Sequence, residues 1–407
     1  MRKSLWLLGF LAASWAGACH AVDVGDISIH GFASQGYLKS SANNYLADTE
    51  KGSFEFNEAG INFSTRLSDR TRLGLQLFSR DLGDIGNNEV RLDWGYLDYH
   101  WRDPLGFRLG KVKIPFGLYN EVRDYDVLRT SILLPQSVYD ETWRESLVAI
   151  QGGLAYGSYS LGALGRLDYS AYLGTSNIEA GGGIAETIED DGMAFRDATV
   201  HKAFGGQLEW DAPAPGLLLS ASLLMGDLTI RGNPGPGLLA VAGPLGLTPS
   251  SPMSFDIPSI VLSVWSAKYA VGGLTIAAEY ARQKGHVSVD GLPALLGDQD
   301  IDRNTEGYYL QASYRLADWV ELGGYYSAYY RDRDDKNGNN FVAKGLPDHL
   351  GWQKDWTVGA RFDVTENWLF KLEAHFIDGT ALLFRTRNPG GLERNWELFA
   401  VKTSFHF

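Results

Sequence analysis

The last thirteen residues, Asn395 to Phe407, read N-W-E-L-F-A-V-K-T-S-F-H-F. Phe399, Val401, Thr403, Phe405 and Phe407 fall on one side of an extended chain, and Leu398, Ala400, Lys402, Ser404 and His406 on the other. The same period of two recurs upstream. Trp368, Phe370, Leu372, Ala374 and Phe376 alternate with Lys371, Glu373 and His375. Trp356, Val358, Ala360 and Phe362 alternate with Arg361 and Asp363, and Leu274, Ile276, Ala278 and Tyr280 with Thr275, Glu279 and Gln283. After residue 21 no run of eighteen apolar residues occurs, so the sequence offers no membrane helix. Two-sided strands of this kind build either a soluble antiparallel sandwich or a closed membrane barrel.

The two ends of the chain favour the barrel. The terminal strand, closing on Phe407, resembles the closing strand of a bacterial outer-membrane β-barrel. At the other end, Arg2 and Lys3 precede an apolar stretch, Leu5 to Ala13, and small residues follow to Ala21. This pattern is a secretory signal peptide over 1–21, with cleavage expected after Ala21. Ala16-Gly17-Ala18-Cys19 loosely resembles a lipoprotein box, so lipidation of Cys19 stays open. Cys19 is the only cysteine. The expected mature chain, 22–407, is therefore exported without disulfides, and a closed strand ladder supplies the cohesion instead.

Composition is consistent with this reading. The chain holds 12 Trp, 20 Tyr and 19 Phe, the residues that girdle barrels at both membrane interfaces. Its net charge is −13, which becomes −15 without Arg2 and Lys3 and speaks against a nucleic-acid partner. The expected partners are outer-membrane lipid and lipopolysaccharide.

Sixteen strands can be laid along the mature chain, near 26–38, 53–67, 71–80, 89–101, 107–114, 147–157, 166–174, 201–210, 217–227, 259–269, 274–283, 304–316, 319–331, 354–364, 368–378 and 395–407. Boundary drift leaves fourteen or eighteen strands open. Short turns alternate with long connections, as in outer-membrane barrels, whose periplasmic turns are short and extracellular loops long. The long connections are 39–52, 81–88, 115–146, 175–200, 228–256, 284–303, 332–353 and 379–394. A charge on the lipid face costs about 2–4 kcal/mol at the midplane, so the polar strand faces are expected to look inward on a wet lumen.

Residues 90–101, V-R-L-D-W-G-Y-L-D-Y-H-W, and 107–118, F-R-L-G-K-V-K-I-P-F-G-L, carry a family resemblance. Gly110-Lys111-Val112-Lys113-Ile114-Pro115-Phe116-Gly117 resembles the G-[KQ]-x-K-x-P-F-G strand end of the phosphate-selective porins and related sixteen-stranded specific porins. The resemblance implies an outer-membrane channel in a Gram-negative bacterium, assembled as a homotrimer and working without a cofactor. It also implies that the third long connection, 115–146, folds back into the lumen.

The residues themselves support that placement. Pro115 lacks the N–H needed to continue a central ladder, and Gly117 permits a turn. Ile132, Leu133 and Leu134 would be costly to leave in water. The candidate constriction residues are Lys111, Lys113, Arg123, Asp124, Asp126, Arg129, Arg144, Arg361 and Lys371, because opposed charges across a pore order the solutes that pass. Inward cations such as Arg80 and Lys402 are matched by Asp93, Glu279 and Glu373. That mixture departs from the Lys- and Arg-rich lumen of the phosphate-selective family and does not single out phosphate.

Two other readings remain. One is a barrel hydrolase, with His375 and Glu373 as a base pair on the wall. No nucleophile elbow or zinc-binding His spacing accompanies them. The other is a structural barrel with no open pore. A calcium loop at Asp332 to Asn340 is disfavoured, because the register fixed by Gly338 puts Arg333 at the first ligand position.

Overall fold

The computed structural model describes residues 27–178, 181–293, 295 and 299–407. The expected signal peptide and Cys19 lie outside the described residues. Sixteen antiparallel strands close into one barrel. They are β1 (Ile27–Ser40), β2 (Phe56–Ser68), β3 (Thr71–Leu82), β4 (Arg91–Arg102), β5 (Leu105–Lys113) and β6 (Ala149–Ser160). Next come β7 (Arg166–Ile178), β8 (Met193–Asp211), β9 (Leu217–Pro234), β10 (Met253–Val271), β11 (Leu274–Asp290) and β12 (Gln299–Ala317). The series ends with β13 (Val320–Tyr330), β14 (Trp352–Thr365), β15 (Trp368–Gly379) and β16 (Asn395–His406). Each strand pairs with its sequence neighbours, and β1 closes on β16 with Tyr37 opposite Val401. The Phe407 N–H and C=O exchange hydrogen bonds with Gly31 at 3.0 and 3.1 Å, so the terminal residue seals the seam.

The alternation read from the sequence is realised in space. On β15, Leu369, Lys371, Glu373, His375 and Ile377 are buried, while Trp368, Leu372 and Phe376 are exposed. Around the outside, Leu97, Leu109, Leu173, Leu208, Trp265, Leu310, Trp356 and Phe399 continue an exposed apolar belt. Such a belt on a closed ladder is the surface a membrane-spanning barrel presents to lipid.

Five strands are longer than the sequence pattern suggests. β8, β10 and β12 run 19 residues, β9 runs 18 and β11 runs 17, against 9 for β5. The connections expected at 175–200, 228–256 and 284–303 are correspondingly shorter. The physical reason is a reversal of polarity along these strands. At the level of Trp265 and Leu310 the apolar residues face out. Higher up, Val287 is buried inside, while His286 and Asp302 meet on the outer side at 2.9 Å. A strand whose apolar face switches sides reads as a strand that stops.

Candidate functional site

The connection between β5 and β6, residues 114–148, lies inside the barrel and touches its wall on three sides. The backbone leaves the ladder at Ile114, whose N–H still donates to Val148 O at 3.0 Å. Gly117 then takes φ +57°, and a Cβ there would sit 2.3 Å from the Tyr139 hydroxyl. Only glycine fits that bend. Opposite, the Ser137 carbonyl presses on β12 so closely that a Cβ on Gly307 would lie 1.9 Å from it. Ile132, Leu133 and Leu134 are all buried, in keeping with their apolar character.

Charge holds the segment against β3 and β4. Arg80 of β3 reaches Glu141 at 3.0 Å and Glu145 at 2.5 Å, and Arg123 shares Glu141 at 2.9 Å. Arg144 bridges Asp124 at 2.7 Å and Asp93 of β4 at 3.2 Å. Burial pushes the Asp124 carboxyl up, but Arg144, Lys113 and Arg123 outweigh it and hold it at about 2. Burial likewise opposes ionisation of Glu141, and Arg123 and Arg80 bring it down to about 2.

A second set of anchors comes from the seam side. Asp126 accepts from Ser404 Oγ at 2.6 Å and meets Lys402 Nζ at 2.9 Å, while Lys402 also holds Glu58 of β2 at 2.7 Å. Lys371 donates to the carbonyls of Asp126 and Ser131 at 2.8 and 2.9 Å. Burial disfavours the Asp126 carboxylate, yet Lys402, Lys371 and Arg129 hold it well below the usual range. The Glu373 carboxylate accepts the successive N–H groups of Ile132 and Leu133 at 2.7 and 3.0 Å. Arg361 donates to the Val127 carbonyl and Thr130 to Glu321.

The third anchor is a single carboxylate on β11. Glu279 accepts from the Tyr139 hydroxyl at 2.5 Å, Tyr309 at 2.6 Å, Ser266 at 2.5 Å and the Leu118 N–H at 2.9 Å. Ser222 and Gln207 bind the Gly117 N–H and carbonyl at 2.9 and 2.8 Å.

Of the residues singled out in the sequence, Arg123, Asp124, Asp126, Arg129, Arg144, Arg361 and Lys371 are brought together here. The structure uses them as ties between loop and wall, buried in ion pairs and backbone contacts, rather than as charges bordering open space. Their short mutual distances are the reason, since each charge has an opposite charge or a polar backbone group within reach. Lys113 donates to the Glu121 carbonyl at 2.5 Å and lies over the Trp94 and Tyr125 rings. Lys111 stays on its strand and donates to the Leu92 carbonyl at 2.6 Å. The sequence reading missed Tyr139 and Tyr309 as partners of Glu279. It also missed a cavity, because strand ends that reverse polarity were read as loops.

Two cavities flank the segment. One, of about 560 Å³, lies toward the short turns between Arg108, Glu121, Tyr156, Asp168, Gln207 and Glu209. The other, of about 490 Å³, lies toward the long connections, inside the tall wall formed by β8–β12. Its lining is largely aliphatic.

No protein-family model matches the sequence, and no curated protein matches it. Solved structures do match in fold. A loop-L8 deletion mutant of OmpT, an outer membrane protein of Vibrio cholerae, superposes with a TM-score of 0.57 at 10% identity, over 94% of this chain and 99% of that one. An anion-selective porin from Comamonas acidovorans gives 0.54 at 13% identity, over 94% and 99%. The outer membrane channel DcaP of Acinetobacter baumannii gives 0.54 at 11%, over 94% and 97%. At these identities the likeness establishes the fold, that of the sixteen-stranded outer-membrane porins.

Proposed function

We propose that this protein is an outer-membrane channel of a Gram-negative bacterium, passing small solutes by diffusion, with segment 114–148 deciding what crosses. The observation that carries this reading is the arrangement of the lumen: cavities of about 490 and 560 Å³ separated by one segment tied to the wall. A sixteen-stranded barrel built only to fill itself would not hold space on both sides of its plug. The anchoring cations are matched by carboxylates, so the lumen favours neither phosphate nor anions as a class.

The charge lattice also favours a barrel that is narrow at rest. Buried pairs of this density hold one geometry, and removing a partner is costly. Purified protein in a planar bilayer should therefore give small single-channel steps. Removing residues 121–140 should raise the conductance severalfold. Silence from both the intact and the shortened protein would overturn the channel reading.

A hydrolase is disfavoured by the setting of His375. Its Nδ1 lies 2.9 Å from Asp355 and its Nε2 3.0 Å from Glu373, and the side chain is 2% exposed. Both ring nitrogens are occupied by carboxylates, which leaves neither free to act as a base. Trimeric assembly, expected from the porin resemblance, is checked by the mass of the protein–detergent complex.

A further inference from the structure

The cavity above the loop is unlike the lumen around it. Inward residues of β8–β12 at this level include Val200, Leu228, Ile230, Ile257, Ile260 and Val287, with Gln283 and Thr305 as polar members. The short helix Gly183–Asp190 covers one side with Ile184 and Ile188. A volume of about 490 Å³ falls within the range of small-molecule sites, roughly 300–1,000 Å³. Protein interiors leave few voids larger than a water molecule, so space of this size with aliphatic walls calls for an apolar occupant.

The floor supplies the polar contact. Asp140 caps the turn Glu141–Trp143, its Oδ1 accepting from the Thr142 N–H at 2.9 Å and hydroxyl at 2.7 Å. Among the described residues, Oδ2 accepts no hydrogen bond and Asp140 has no ion pair, although it borders the cavity. The other charged groups on the lining are already matched: Arg303 with Asp191 at 3.5 Å and Asp227 with Lys202 at 3.3 Å. Asp140 therefore borders an apolar chamber with no ion pair among the described residues. Burial raises the Asp140 carboxyl to about 6, outweighing the Thr142 hydrogen bonds and the more distant Arg123.

We propose that this cavity is a binding site for small hydrophobic amines, with the apolar body against the β8–β12 wall and the ammonium group on Asp140 Oδ2. The ligand supplies the missing cation and fills the missing volume together. An anion of the same body would meet the carboxylate with like charge, and a bare ammonium ion would leave the cavity unfilled. The site deepens the channel reading and rests on it for its biological sense, since a solute would pause here before the constriction.

The test is equilibrium binding to the full-length barrel in zwitterionic lipid nanodiscs, so that it does not depend on conductance. The probes are phenethylammonium, 3-phenylpropanoate and methylammonium, titrated by calorimetry with empty nanodiscs as background. Phenethylammonium should bind to one site, and the other two should not. Asp140→Asn keeps the cap and should weaken binding about tenfold or more, the scale of one charge-assisted contact.

Gly285→Phe should abolish binding by filling the chamber. A Cβ there meets nothing nearer than the Ser259 carbonyl at 3.5 Å, so the substitution fits the wall itself. Heat-modifiable gel mobility shows that each variant is folded. Equal binding of amine and carboxylate, unchanged affinity in Asp140→Asn, or no binding to the unaltered barrel would overturn the proposal. Conductance measured in parallel decides the channel separately: a silent barrel that still binds phenethylammonium keeps the site and loses the channel.

Discussion

Strands β8–β12 carry opposite amphipathic senses in their lower and upper halves. In the lower half, Leu208, Leu223, Trp265 and Leu310 face outward and are exposed, while Gln207, Ser222, Ser266, Glu279 and Gln311 are buried inside. That is the arrangement of a barrel wall between lipid and a polar lumen. In the upper half the senses exchange. Ile230, Val287 and Met253 are buried inside, and the outer side carries pairs such as His286 with Asp302 at 2.9 Å and Arg231 with Asp197 at 3.1 Å. This is how a soluble sheet faces water. The locked loop sits at the change-over, a charged floor beneath an apolar chamber. One hydrogen-bonded ladder thus serves two solvents, and the side chains alone mark where the membrane ends.

The floor is where the two halves can be separated most forcefully. Asp126→Ala removes the carboxylate shared by Lys371 and Lys402. Breaking a buried pair costs about 3–5 kcal/mol, because a buried charge is left unmatched. The loop should come free, giving protease cleavage within 114–148 and a larger single-channel conductance. Val289→Ala, in the apolar chamber, should leave the loop resistant. Equal resistance in both variants would mean that the charge lattice does not hold the floor.

The lipid boundary gives the next effect. Leu310, 58% exposed, belongs to the lower belt. Lysine there should cost about 2–4 kcal/mol near the midplane and lower the yield of inserted barrel. Lysine at Ser288, on the outer face of the upper half, should change unfolding stability in urea by no more than about 0.5 kcal/mol. Similar losses at both positions would put the membrane higher on the wall and erase the contrast.

The same reversal explains what could be read from the sequence alone. The sixteen-strand layout, the closing strand and the inward placement of the third long connection were all legible. In each case a single polarity pattern, or a run such as Ile132–Leu134, holds over the whole element. The upper halves of β8–β12 were not legible. Arg282, Lys284 and His286 follow Tyr280 on the same face of β11, so the apolar signal ends at Tyr280 although the strand continues to Asp290. The charged residues of the loop were legible as a set, but their pairing was not. Whether Arg144 borders a pore or binds Asp93 and Asp124 depends on partners far along the chain, which no local spacing encodes. Asp140 stood among many acids in that segment, and only the fold distinguishes it by leaving it, among the described residues, with no ion pair at contact distance.

That distinction gives the smallest and most specific effect. The Asp140 carboxyl is raised to about 6 by burial, while Asp124 and Glu141 are held near 2 by their arginines. A carboxyl with a raised value takes up its proton in the folded state before the unfolded chain does, so its contribution to stability rises as pH falls through about 6 toward about 4. The two depressed carboxyls act in the opposite sense: their stabilisation is present above about 4 and is lost as pH falls toward about 2. Between pH ~7.5 and ~5 only Asp140 of these three changes charge. Comparing the unaltered barrel with Asp140→Asn cancels the other titrating groups. The melting temperature of the unaltered protein should gain on the variant by a few degrees over that interval, on the order of 1 kcal/mol. Adding phenethylammonium at pH ~7.5 should close part of the same gap, because a bound cation relieves the charge that protonation otherwise removes. A difference that stays constant with pH would show that Asp140 already has a counter-charge, and the chamber floor would then have no polar contact left to offer an amine.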